Sequence, residues 1–323
     1  MEFQPKKRLQ LFAGRSNPAL AEEVAAHLGV RLGNPNLVDF ADGEIRSTLG
    51  ESVRGSDVFI LQTHSMPVND HIMEQLIMID AAKRASAKRI TAVCPLYGYA
   101  RQDRKSTGRE PITAKLVADL LTTAGADRVV SIDLHSGQIQ GFFDIPFDHL
   151  TAMPVLVEHL RYVVGPGAVV VSPDTGRVKV AERFAKRLDA DVASVYKRRS
   201  ATKVDSVSSI DIMGDVAGRA CILVDDMVAT GGTICGAADL LMERGATEVL
   251  GVVTHGILSG NAVDKIKASA MSKLIVTNTL QLPPEKECDK IEVLSIAPLL
   301  ADAISAVFED ASVSEIFGGE NQS

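Results

Sequence analysis

Cys221-Ile222-Leu223-Val224-Asp225-Asp226-Met227-Val228-Ala229-Thr230-Gly231-Gly232-Thr233 is the stretch on which the fold turns. Its apolar opening reads as a buried strand that ends in two carboxylates. A loop of small residues then enters a helix N-terminus, and that helix is predicted to stop at Gly245. Open α/β sheets bind ligands at this place, outside the carboxyl ends of their strands. The amides of Gly231, Gly232 and Thr233, the hydroxyls of Thr230 and Thr233 and the positive helix end suit one phosphate group. Asp225 and Asp226 beside them can accept hydrogen bonds from vicinal sugar hydroxyls. A phosphate next to a diol describes a pentose 5-phosphate. The plainer alternative is an N-cap turn with surface acids.

The same strand-helix alternation extends in both directions. Strands are predicted at Leu9–Ala13, Val58–Gln62, Ile90–Cys94, Arg128–Ile132, Ala168–Val171, Ala220–Val224, Val249–Val253 and Leu274–Thr277. They are apolar throughout rather than alternating, as parallel strands covered on both faces are. Helix ends are readable between them. Asn17-Pro18 supplies an N-cap and first helical residue with Gly29 as the stop, and Pro111 opens a helix that Gly125 closes. Repeated strand-helix-strand units imply a doubly wound architecture. Asp70 to Val93 loosely parallels Thr233 to Val253, which suggests two similar α/β domains, 1–150 and 151–323, with a break flanked by Pro146 and Pro154. The last helix is placed against the first domain.

Composition narrows the function. The chain has 323 residues, about two domains' worth at ~150 residues each. Lys and Arg total 34 against 41 Asp and Glu, a net charge of −7 that repels a polyanion. There is no Trp, with 10 Phe and 4 Tyr, too few aromatic platforms for a single-strand binder. An extended nucleic acid is therefore not expected as a partner. No apolar run approaches the ~18 residues of a membrane span, and the N-terminus lacks a signal-peptide core, so a cytoplasmic location is expected and a membrane partner is not. Cys94, Cys221, Cys235 and Cys288 form no CxxC and read as reduced.

A strand ending in Asp-Asp also suits the magnesium strand of a P-loop ATPase, but no Gly-x-x-x-x-Gly-Lys-Ser/Thr occurs. The Asp-Asp-x-x-x-Thr-Gly-Gly-Thr loop instead resembles the phosphoribosyl-diphosphate signature of type I phosphoribosyltransferases. Further segments extend the likeness: Phe40-Ala41-Asp42-Gly43-Glu44, Glu51-Ser52-Val53-Arg54-Gly55, Tyr99-Ala100-Arg101-Gln102-Asp103, Asp133 to Phe143, Ser172-Pro173-Asp174 and Lys197-Arg198-Arg199. From about Leu11 to Phe317 the chain resembles the ribose-phosphate diphosphokinase family. The resemblance implies two similar doubly wound parallel-sheet domains of the type I phosphoribosyltransferase kind. It also implies transfer of a diphosphoryl group from Mg-ATP to ribose 5-phosphate within a homo-oligomer, expected to be a hexamer with the ATP site shared between subunits.

Residue roles follow position by position. Phe40, Asp42, Gly43 and Glu44 place an aromatic face beside acceptors, which suits an adenine; from sequence alone, without the resemblance, a turn after a strand is the favoured reading. The family uses it for ATP. Arg101 and Gln102 lie in a cationic loop that is otherwise a solvated face; the family binds ATP there, and an Arg fork grips a triphosphate as Lys cannot. His135 and Asp174 match the magnesium-nucleotide site. A carboxylate suits Mg2+, which keeps waters and shares phosphate oxygens, whereas His is a poor ligand expected to act partly through water. Lys197 and Arg199, in a segment from Tyr196 to Ser206 expected to be mobile, match the family's catalytic loop, with Arg199 also at the sugar phosphate. Asp225, Asp226, Ala229, Thr230, Gly231, Gly232 and Thr233 form the ribose 5-phosphate site.

Two positions depart from the pattern. The family usually has Asp where this chain has Ala229, which removes one acceptor beside the loop but leaves the backbone cradle. Phosphate-activated relatives commonly carry Ser where Gly108 precedes Arg109, which puts that regulation in doubt. Two rivals stand beside the main reading. A salvage phosphoribosyltransferase shares the Asp225 loop without needing the Phe40, Arg101 and His135 segments. A catalytically silent regulatory subunit gains support from Ala229 and loses it from the intact Lys197, Arg199, Asp174 and His135.

Overall fold

The computed structural model describes residues 7–198 and 209–317, which divide into two units. One comprises the described residues of Met1–Thr151, Thr279–Gln281 and Ser295–Ser323; the other is Ala152–Asn278 with Leu282–Leu294. The chain therefore crosses at Thr151 and later returns, so the stretch after 151 is not one continuous domain.

In the first unit, β1 (Leu9–Ala13), α1 (Pro18–Leu28), β2 (Leu32–Gly33), the short hairpin β3 (Val38–Asp39) and β4 (Ile45–Arg46), then β5 (Asp57–Leu61) follow in order. They are succeeded by α2 (Val68–Arg84), β6 (Arg89–Cys94), α3 (Thr113–Ala124), β7 (Arg128–Ile132) and β8 (Phe147–Leu150). Six strands pair in parallel in the order β2-β1-β5-β6-β7-β8. Every residue of β5 is buried, as the unbroken apolar run requires of a strand covered on both faces. The Asn17 side chain caps α1 by accepting from the Leu20 amide at 3.2 Å, and Gly29 ends it in the left-handed conformation. Helix α3 begins at Thr113, two residues later than Pro111 suggested, and Gly125 caps it.

The second unit contains α4 (Met153–Val163), β9 (Val169–Ser172), α5 (Val178–Leu188), β10 (Asp191–Arg198), β11 (Ser209–Met213) and β12 (Ala220–Val228). It continues through α6 (Gly232–Glu243), β13 (Glu248–Gly256), α7 (Ala262–Ala268), β14 (Lys273–Thr277) and β15 (Ile291–Leu294). The sheet order is β11-β10-β9-β12-β13-β14-β15, parallel except for the antiparallel β10–β11 pair. Its core is aliphatic, from Val169 and Leu223 to Val253 and Leu274, as a chain poor in aromatics must provide.

The return to the first unit is made by α8 (Ala297–Glu309), which packs on α1. Ser295 bonds Glu23 at its start, and Asp310 beyond its end pairs with Lys7 and with Arg89 at 2.5 Å. All four cysteines are free, three of them buried. No described helix is long and apolar enough to cross a membrane.

Both sheets reverse direction once. In the first unit, β1 is flanked by β2 on one side and by β5 and its successors on the other. In the second, β9 is flanked by β10 and by β12. Such a reversal opens a crevice outside the carboxyl ends of the two strands that flank it.

Candidate functional site

The reversal in the second unit brings together the loop after β9, with Asp174 and Arg177, and the end of β12, with Asp225 and Asp226. The two acids do not follow the strand as expected. They lie inside β12, because β13 also runs on and pairing continues as Asp225↔Val253, Met227↔His255 and Val228↔Gly256. The pairing keeps one register through these residues, and the Asp226 amide donates to Oδ1 of Asp225 at 2.8 Å. Both carboxylates meet one guanidinium. Arg177 places Nε 3.3 Å from Oδ1 of Asp225 and Nη2 2.7 Å from Oδ1 of Asp226. Asp226 is only 7% exposed, so its charge requires a partner. Burial and the facing Asp226 carboxylate push the Asp225 carboxyl up to about 8, with Arg177 pulling the other way.

The loop beyond is Ala229-Thr230, and Gly231 occupies the N-cap of α6 at φ +75°. That left-handed backbone is what glycine supplies at no steric cost. No side chain caps the helix, so its first amides have no protein acceptor of that kind. Two carbonyls of the loop are tied down from outside. Ala229 O accepts from the Ser259 amide at 2.8 Å and hydroxyl at 3.2 Å, and Thr230 O accepts from Lys265 Nζ at 3.2 Å. Because C=O and N–H point oppositely across a trans peptide, fixing these carbonyls turns the Thr230 and Gly231 amides the other way. Gly232 and Thr233 are exposed, and a Cβ on Gly232 would meet nothing nearer than Thr230 Oγ1 at 4.0 Å. The arrangement offers several N–H donors and a helix N-terminus to one anion beside two hydroxyl acceptors.

The remaining expected residues are distributed over both units. Asp174 is exposed in the loop after β9, where its Oδ1 accepts from the Gly176 amide at 2.8 Å. His135 belongs to the first unit, three residues past β7 and half-buried. Among the described residues no three His, Cys, Asp or Glu cluster as a metal cage. A single exposed carboxylate such as Asp174 suits a magnesium ion that retains waters and phosphate oxygens rather than an all-protein site.

Phe40, Asp42, Gly43 and Glu44 form the turn of the β3–β4 hairpin. The Phe40 amide donates to Glu44 O at 2.8 Å, the Glu44 amide donates to Oδ1 of Asp42 at 3.2 Å, and Gly43 sits at φ +91°. The Phe40 ring is 46% exposed, with Arg46 over it at 5.7 Å. Arg101 is exposed, and Gln102 accepts from the Thr113 hydroxyl at 2.6 Å.

Lys197 lies in β10, with its backbone opposite Ile210, so the segment expected to be mobile from Tyr196 begins as strand. Arg199 lies outside the described residues. Arg177 was not identified from sequence. Its one local signal is electrostatic: it stands at the N-cap of α5, whose first turn has no acid, and a cation there is opposed by the helix dipole.

Known proteins match the chain along most of its length. Residues 9–125 match the family model of the N-terminal domain of ribose phosphate pyrophosphokinase, and residues 200–318 match the phosphoribosyl synthetase-associated domain. A ribose-phosphate pyrophosphokinase of Streptomyces avermitilis is 54% identical over 313 residues, covering 97% of each chain. The Bifidobacterium longum protein of the same name is also 54% identical, over 98% of this chain and 94% of its own. The crystal structure of phosphoribosylpyrophosphate synthetase from Mycobacterium smegmatis superposes with a TM-score of 0.88 at 52% identity, covering 94% of this chain and all of that one. With the site assembled at the reversal of a doubly wound sheet and likeness of this extent, the chain belongs to the ribose-phosphate pyrophosphokinase family.

Proposed function

We infer that the chain transfers the diphosphoryl group of ATP to the C1 hydroxyl of ribose 5-phosphate, giving 5-phosphoribosyl 1-diphosphate and AMP. The observation that carries this reading is the crevice of the second unit. An uncapped helix start and a glycine turn stand there beside two carboxylates, complementary to a phosphate and a diol on one small molecule. The sugar's C1 oxygen forms a bond to the β-phosphorus and gives up its proton to solvent, the bond from that phosphorus to the oxygen bridging to the α-phosphate breaks, and AMP leaves with that oxygen. Protein groups in such a reaction align the reactants and neutralise charge on phosphate oxygens.

In this reading Thr230, Gly231, Gly232 and Thr233 hold the 5-phosphate through backbone and hydroxyl donors, with Ala229 lending only its backbone. Asp225 and Asp226 orient the ribose hydroxyls. Phe40, Asp42, Gly43 and Glu44 receive the adenine, and Arg101 and Gln102 receive the phosphates of ATP. Asp174, with His135 acting partly through water, would hold magnesium, which when bound supplies positive charge to the phosphate oxygens. Lys197 and Arg199 bring further positive charge to the transferring group, Arg199 also reaching the sugar phosphate. The exposure of the Phe40 hairpin favours a homo-oligomer, taken as a hexamer, in which a neighbouring subunit completes the nucleotide site. A cytoplasmic location follows from the metabolites it would use.

The deciding experiment supplies the isolated, purified chain with Mg2+, ATP and ribose 5-phosphate and no nucleobase. Stoichiometric AMP and 5-phosphoribosyl 1-diphosphate support the reading. Absence of AMP from the folded protein favours a regulatory subunit, and product formation only when a base is supplied favours a salvage transferase.

A further inference from the structure

Arg177 has no part in the roles assigned above, yet it is the cation that both sugar-side carboxylates share. Its position is locally unfavourable. It precedes α5, where the helix dipole repels positive charge, and the first turn adds Lys179 rather than an acid. A charge set against its own helix is held by something else, and here that is the pair of acids at the sheet reversal. The guanidinium is only 16% exposed and engages Oδ1 of each carboxylate, a fork that a single ammonium point charge cannot reproduce.

The chemistry of the site explains the need. Two adjoining, largely buried carboxylates resist being ionised together. Even with a proton held by one of them, each keeps an oxygen able to accept, so a diol can donate to both only where their orientation is fixed. A cation spanning the two carboxylates offsets their repulsion and fixes their orientation.

We propose that Arg177 is a positioning residue of the sugar site, holding Asp225 and Asp226 as a matched pair of acceptors for the pentose hydroxyls. The proposal rests on the reading of those two acids as hydroxyl acceptors and adds to it the group that prepares them.

The test uses the full chain with three variants, Arg177→Gln, Arg177→Lys and Asp226→Asn. The measurements are KM for ribose 5-phosphate, KM for ATP, kcat, and calorimetric binding of ribose 5-phosphate without ATP. Arg177→Gln is expected to weaken sugar KM and Kd by ~10-fold or more while ATP KM stays within ~2-fold, because a truncated buried pair loses its compensation. Arg177→Lys is expected to recover part of the loss, to within ~3-fold of the parent, since it restores charge without the fork. Unchanged or tighter sugar binding by folded Arg177→Gln overturns the proposal. If that variant does not fold, Arg177→Lys decides: a selective rise in sugar KM supports the role, and an equal change in both KM values, or none, overturns it. The Asp226→Asn arm separates the two levels. Weak sugar binding there with normal binding in Arg177→Gln removes Arg177 alone, whereas normal binding in Asp226→Asn removes the acceptor reading and this proposal with it.

Discussion

The two sheets share a winding and differ in what lies at the point where it reverses. In the first unit the carboxyl ends of β1 and β5 are bridged by the protein's own side chains. Gln62 accepts from the Ser16 hydroxyl at 2.6 Å and donates to Glu74. Glu74, 1% exposed, accepts from the Arg15 amide at 2.8 Å and from its Nε at 2.5 Å, and the Arg15 fork continues to Asp39 through two bonds of 2.6 Å. Even a Cβ on Gly14 would strike Gln62 at 2.4 Å. In the second unit the same topological position holds an uncapped helix start and two acids facing one arginine. A doubly wound sheet offers a crevice at each reversal, and the side chains that fill or spare it decide whether it binds a ligand or braces the fold.

Substitutions in the two crevices are therefore expected to fail in different ways. The largest effect is expected for Lys197→Ala, in β10 of the second unit. Losing a donor that acts on the transferring group costs ~10²–10³ in rate, with ribose 5-phosphate still bound. Single-turnover rates alongside sugar binding would test this, and parent-like turnover would remove Lys197 from the mechanism. Next comes Glu74→Ala in the filled crevice. It removes the acceptor of the buried Gln62 amide and of the Arg15 backbone amide and is expected to lower unfolding free energy by ~2 kcal/mol, leaving sugar KM unchanged in the protein that stays folded. Denaturant titration with steady-state kinetics reads both, and a sugar-specific defect would erase the contrast.

A smaller effect separates the crevices by pH. The Asp225 carboxyl is raised from the usual carboxylate range to about 8, so between about 4 and 8 the folded chain holds a proton that the unfolded chain has released. Stability then falls as pH rises through that window, by up to ~1.4 kcal/mol per pH unit. Asp225→Asn, which has no carboxyl to ionise, should flatten this slope in thermal melts while abolishing sugar binding; a parallel pH dependence in variant and parent would contradict the assignment. The smallest change is expected for Lys265→Met. Its single, partly exposed bond to the Thr230 carbonyl orients one peptide of the cradle, and its loss should raise sugar KM a few-fold, ~0.5–1 kcal/mol, with ATP KM unaffected.

Much of this was legible in the sequence because it is local. Unbroken apolar runs marked the parallel strands, Asn17-Pro18 and Gly29 marked α1, and Thr230-Gly231-Gly232-Thr233 marked a helix start with open amides. What was missed depends on partners far along the chain. Tyr196-Lys197-Arg198 reads as a charged loop, yet it is strand because β11 pairs with it in antiparallel register. Asp225 and Asp226 look like residues beyond a strand, but β13 extends far enough to keep them within the sheet. Two-residue strands such as β2 and β3 are too short to show any periodicity. Arg177 lies almost fifty positions from the acids it joins, and no spacing rule connects them.

The central claim, that one pentose phosphate is gripped by the turn before α6 and by the two acids of β12, is tested most directly by a crystal structure of the chain with ribose 5-phosphate. The phosphate is expected against the amides of Gly231, Gly232 and Thr233, with the two ring hydroxyls on Asp225 and Asp226 and the C1 oxygen left open. Sugar density at any other place, or a phosphate bound there with its hydroxyls turned away from both carboxylates, would contradict the account.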